Sequence, residues 1–185
     1  MSSPVDVSRP SALWKALSEE RRLEAATAFW EDEQSVAEQA EAIGLIARQI
    51  NFRPRSVAAL PVERRARQLA RMPRLSEPLT GRLLVSYHLA RQRPMMSAFL
   101  DTLGIKHEDG LIAEEHVKAP ERERLVAAGH QLATTFPPED ARLYFATLLV
   151  QDPETWGALE EVVKELAQSP APAAAPAAPA PDTEA

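Results

Sequence analysis

Along most of the chain, apolar residues recur at steps of three and four between prolines, and no stretch alternates convincingly with a period of two. Steps of three and four put side chains on one face of an α-helix, so the pattern predicts an all-α fold. Ser18 followed by Glu19 and Glu20 predicts a helix to about Trp30, because a hydroxyl and early carboxylates satisfy the free N–H groups of a helix start. Val36, Ala40, Ile43, Ala47 and Ile50 make the next helical stripe, with Ser35 and Glu38 before it at capping-box spacing. Pro54 and Pro61 punctuate the chain. Val62, Ala66, Leu69 and Ala70 then mark the inner face of a further helix. Leu79, Leu83, Leu84, Tyr87 and His88 form a broad apolar set, which predicts a central helix ending near Arg93. Pro94 either kinks it or opens a separate helix that stops at Gly104.

Residues 104–119 read as the one substantial internal loop, with an open polar turn around Lys106–Gly110. Helices are then expected from Pro120 to about Thr135, from Asp140 to Gln151 and from Glu154 to about Gln168. Asp152-Pro153 supplies the last of these with a carboxylate cap and a proline in its first turn. The expected architecture is a compact bundle or short stack of seven to nine helices in one domain, residues 11–168. A loose leader, residues 1–10, precedes it. The Pro/Ala run at residues 169–185 cannot bury apolar surface and is expected to be a disordered tail. Met95, Met96, Phe99, Leu100 and Leu103 read as core rather than as a contact surface.

Two segments resemble each other. Arg82-Leu83 aligns with Arg142-Leu143, and Leu89 with Leu149; one residue dropped later, Pro94 aligns with Pro153 and Leu100 with Leu159. These matches raise the reading of two duplicated three-helix units, residues 61–103 and 120–168, against shared architecture without common descent.

Composition narrows the chemistry. The 185 residues suit one ordinary domain or two very small ones. Zero cysteines remove disulfides, thiol nucleophiles and sulfur-ligated zinc. Six glycines leave little from which to build a phosphate loop, and no catalytic or cofactor motif is found, so no cofactor is expected. No apolar run is long enough for a membrane span and the first residues lack signal-peptide character, which predicts a cytoplasmic protein.

Charge changes the picture more. The net charge of −6 hides a basic segment, residues 48–93, with eleven arginines against only Glu63 and Glu77. Arg64, Arg67 and Arg71 fall on one helix face, with Arg53, Arg55 and Arg74 just outside its ends. Guanidinium groups donate two parallel hydrogen bonds to carboxylate or phosphate, so the six are candidates for an anionic partner. The competing expectation is pairing with the acidic helices of the same chain, residues 19–41 or 154–165. His107, Glu108 and Asp109, followed by Glu114, Glu115 and His116, are weaker candidates for a divalent metal, at a spacing that matches no known ligand motif. His88 and His130 could act as general bases but read first as ordinary structural histidines. The expected function is a non-enzymatic interaction or scaffold protein with a protein partner or self-association. A nucleic-acid-associated protein using residues 48–93 is the alternative, and a metal- or His-dependent enzyme the third.

Overall fold

A computed structural model of the chain describes residues 9–72, 74–113 and 117–168. The leader up to residue 8 and the Pro/Ala run from residue 169 lie outside the described residues. The described residues form eleven helices and one small hairpin, and nine of the helices have seven residues or more. In chain order these are α1 (Pro10–Ala16), α2 (Glu19–Glu31), α3 (Val36–Gln49), α4 (Pro54–Ala58), α5 (Val62–Ala70), α6 (Glu77–Arg91) and α7 (Arg93–Leu103). The hairpin β1 (His107–Glu108) and β2 (Leu111–Ile112) follows, then α8 (Arg122–Thr135), α9 (Pro138–Gln151), α10 (Pro153–Trp156) and α11 (Leu159–Gln168).

Several boundaries are set by caps, those at Ser18, Asp152 and Gly104 by the residues that predicted them. The Ser18 hydroxyl accepts from the Arg21 N–H, Ser76 accepts from Leu79 N–H and Asp152 accepts from Thr155 N–H, so each satisfies a free donor at a helix start. Gly104 ends α7 at φ 69°, and the Ile105 N–H reaches back to the Leu100 carbonyl, the bond of a Schellman turn. Ser35 departs from expectation. Its hydroxyl does not cap α3; it donates to Asp32 Oδ2 at 2.7 Å and accepts from Arg82 Nε at 2.6 Å.

The helices share two hydrophobic clusters. The first is built by α1 to α6, with Leu143 and Ala146 of α9 added, and it contains Trp14, Trp30 and Phe29. The second is built by α7 to α11, and it contains Phe99, Tyr144, Phe145 and Trp156. Met95, Met96, Phe99, Leu100 and Leu103 are all buried in the second cluster, as expected of core. Helices α6 and α9 join the clusters, with Tyr87 in the first and Tyr144 in the second. The segments 61–103 and 120–168 place helices in similar order but pack them differently. Helix α5 packs chiefly on α2, and α6 on α2 and α1, whereas α8, α9 and α11 all pack on one another.

The expected loop after Gly104 carries local order that the sequence reading passed over. His107 pairs with Ile112 and Glu108 with Leu111, which leaves Asp109-Gly110 as a two-residue turn. Both turn residues have positive φ, 49° and 84°, the combination a tight antiparallel hairpin favours. A Cβ on Gly110 would come within 2.7 Å of Met96 Cβ, so glycine is required twice over.

Candidate functional site

Nine of the eleven arginines of the segment fall into two groups. One is engaged by α2 and its C-terminal end. Arg82 donates to Asp32 at 2.8 Å, and Asp32 also accepts from Ser35, Ser86 and the Gln34 N–H. Burial alone would raise the Asp32 pKa; the hydrogen bonds and the Arg82 charge outweigh it and hold the carboxyl below its usual range. Arg91 pairs with Glu24 at 3.2 Å, and the Arg65 guanidinium lies 4.5 Å from the Trp30 ring centre. Arg82 and Arg65 fasten α6 and α5 to the C-terminal end of α2, and Arg91 pairs with Glu24 in its middle.

The other group faces outward. Arg53, Arg55, Arg64, Arg67, Arg71 and Arg74 are all exposed. Val62, Ala66, Leu69 and Ala70 turn the opposite side of α5 into the first cluster, so periodicity places the stripe outside. Among the described residues only Arg71 of these six makes an ion pair, to Glu19 at 3.8 Å between two largely exposed side chains. The acidic helices of the chain therefore leave Arg64 and Arg67 unengaged among the described residues.

Beside the stripe runs a groove of about 430 Å³, walled by Ile50, Phe52 and Leu60 on one side and by Arg64, Arg67, Gln68 and Arg71 on the other. Phe52 is 53% exposed, an uncommon position for a large ring. The end of α3 explains it. Asn51 takes φ 54°, and the Phe52 N–H bonds the Ala47 carbonyl at 2.9 Å, closing a Schellman turn that fixes the chain at Phe52. Arg53 follows immediately, and Pro54 opens α4 in its first turn. The groove thus sets apolar residues of the α3–α4 region against cations of α5. Sequence reasoning found the cations; it missed Phe52, whose signal was an asparagine followed by an aromatic at the end of a helical stripe.

The histidine–carboxylate candidates resolve differently. His107 accepts from the Gly110 N–H through Nδ1 at 3.2 Å, which leaves Nε2–H to donate to Asp101 at 3.1 Å. The Nδ1 bond closes the hairpin turn and the Nε2 bond ties the hairpin to α7, to which Arg93 adds a bond to the Asp109 carbonyl. The open polar turn expected here is instead a pinned hairpin. Glu108 and Asp109 are exposed, Glu114, Glu115 and His116 lie outside the described residues, and among the described residues no three metal-ligating side chains gather.

His88 is sealed between the clusters. Thr147 gives its single hydroxyl proton to the Leu143 carbonyl, so His88 Nε2 is the donor in the 3.0 Å contact to Thr147 Oγ1. Burial, with the Arg21 charge as a lesser cause, pushes its pKa down to about 3. Tyr87 and Tyr144 stand edge-on to the ring. Burial raises the pKa of both phenols. A neutral imidazole closed off from solvent anchors α6 to α9 and is not placed to move protons to a substrate. His130 is exposed, 3.4 Å from Glu165. Among the described residues no histidine lines the α5 groove.

No family model matches the chain, and no curated protein or solved structure matches it.

Proposed function

We propose that the chain is a non-enzymatic, cytoplasmic interaction protein that binds an acidic segment of a protein partner across α5. The observation that carries this reading is the groove, apolar along Ile50, Phe52 and Leu60 and rimmed by outward arginines. The three exposed guanidinium groups that line the groove, Arg64, Arg67 and Arg71, repel a basic partner and favour carboxylates, which they hold through paired hydrogen bonds. The apolar wall adds what charge alone lacks. An occupant must carry hydrophobic residues between its acidic ones, as an amphipathic acidic helix does.

A nucleic-acid reading draws on the same face, because an exposed aromatic among arginines also suits a stacked base. The apolar groove favours the peptide, since a phosphate backbone has no use for Ile50 and Leu60. A fluorescent amphipathic peptide rich in Glu and Leu, poly-glutamate and a single-stranded oligonucleotide separate the two. The peptide is expected to bind better than poly-glutamate, and Phe52→Ala to abolish that preference. Replacing Arg64, Arg67 and Arg71 with glutamine should weaken the peptide about tenfold or more. Tighter binding of the oligonucleotide, with a steep loss of affinity in salt, would transfer the face to nucleic acid.

A further inference from the structure

A second cavity shares no lining residue with the α5 groove. It has a volume of about 740 Å³ and runs between the end of α1, the start of α9 and the last turns of α11. Such a volume is of the size that holds small organic ligands. Its walls come from both hydrophobic clusters: Leu13, Leu17, Leu143 and Ala146 from the first and Val163 from the second. Ligand sites favour such seams, where two packed bodies meet without filling the space between them.

The apolar part of the lining is aliphatic, with no aromatic side chain among the described residues, and polar or charged side chains make up nearly half of the wall. Its charges are nearly matched. Arg21 donates to Glu139 at 2.9 Å and to Asp140 at 2.7 Å, a clasp that closes one end. Lys164 pairs with Glu160 at 2.7 Å on its own helix. Arg142 stands apart, half-buried in the wall, with no carboxylate in ion-pair reach among the described residues. A partly desolvated guanidinium without a counter-ion is favourable only with an anion or water against it. Aliphatic walls and one unmatched cation together describe the occupant.

We infer that this cleft binds an amphipathic monoanion, an aliphatic chain ending in a carboxylate, with Arg142 on the head group and Leu13, Leu17 and Val163 along the chain. An aromatic anion would forgo ring contacts that the lining does not offer, and a dianion would leave one charge without a partner.

Octanoate, octan-1-ol and acetate test the inference by titration against the full chain, followed by methyl resonances of Leu13, Leu17 and Val163. Octanoate is expected to shift these methyls saturably, octan-1-ol to bind about tenfold more weakly, and acetate to leave them unmoved. Arg142→Gln should reduce octanoate affinity to that of octan-1-ol without changing the latter. Ala16→Phe, at an exposed position of the cleft wall, should block both long-chain probes while the helical circular-dichroism spectrum is kept. Equal binding of octanoate and octan-1-ol would overturn the inference. So would octanoate affinity unaffected by Arg142→Gln, or the absence of saturable shifts at millimolar octanoate in a folded protein.

Discussion

In the first cluster, Ala25, Ala26, Ala42, Ala47, Ala66 and Ala70 stand at the helix contacts; in the second, Phe99 is ringed by Tyr144, Phe145 and Trp156 at 5.2–6.1 Å between centres. Alanines let backbones approach, and α2 uses this to pack on both α5 and α6. In the second cluster rings in mutual contact fill the space between the helices, whereas Trp14, Phe29, Trp30 and Tyr87 of the first stand among its alanines. The two interiors should therefore fail in opposite ways, one when a side chain is enlarged and the other when one is removed. Polar groups differ likewise. The first cluster is edged by the Asp32–Arg82–Ser35–Ser86 network, whereas the rings of the second are held by packing alone save for the Thr147–His88 bond at the seam.

The largest effect expected is from Phe99→Ala. It removes a fully buried ring from the centre of the second cluster and should cost about 3–5 kcal/mol in denaturant unfolding. Ala26→Leu, at an equally buried position of the first cluster, should cost about 1–3 kcal/mol through overpacking. If Ala26→Leu were neutral, the alanine contacts would have room to spare and the contrast would fail. The seam gives the next effect. His88 has a folded pKa of about 3 against an ordinary value of 6.5, so protons favour the unfolded chain as pH falls below 6.5. Between pH 7 and 5.5 this should remove about 1 kcal/mol of stability. The lowered carboxyls of Asp32, Glu77 and Asp152 lose their contribution only on further acidification. His88→Gln keeps a donor for Thr147 and should flatten the slope in that window. The smallest effect is expected at the surface: glutamine at positions 64, 67 and 71 should shift stability by no more than about 0.5 kcal/mol, since among the described residues only Arg71 of the three makes an ion pair.

Helix existence was legible because caps, prolines and periodicity agreed at Ser18, Asp152 and Gly104. What escaped was short or non-local. The seven residues of α1 carry too few turns for a stripe, and the tie that fixes them, Ser11 donating twice to Glu77, spans 66 residues of chain. Helix α4 is a single turn, and the final helix breaks after Trp156 where one unbroken run was expected. Ser35 had the spacing of a cap and was drawn off by Arg82, a partner no local window contains. The outward arginines followed from the helix period. Which carboxylates they would meet did not, because that depends on how α2 lies against α5 and α6. The exposure of Phe52 hangs on one left-handed residue, Asn51.

The three tryptophans divide between the two interiors, Trp14 and Trp30 in the first and Trp156 in the second, and all are buried. Indole emission shifts to the red when water reaches the ring, so the molecule carries its own separate optical gauges for its two halves. A chain with phenylalanine at positions 14 and 30 emits from the second half alone, and one with phenylalanine at 156 from the first. Coincident melting of the two signals would mean that the joint between α6 and α9 transmits unfolding as a single event. Melting at two temperatures would mean that each interior keeps its shape without the other, and that the bond from His88 to Thr147 is a hinge between them.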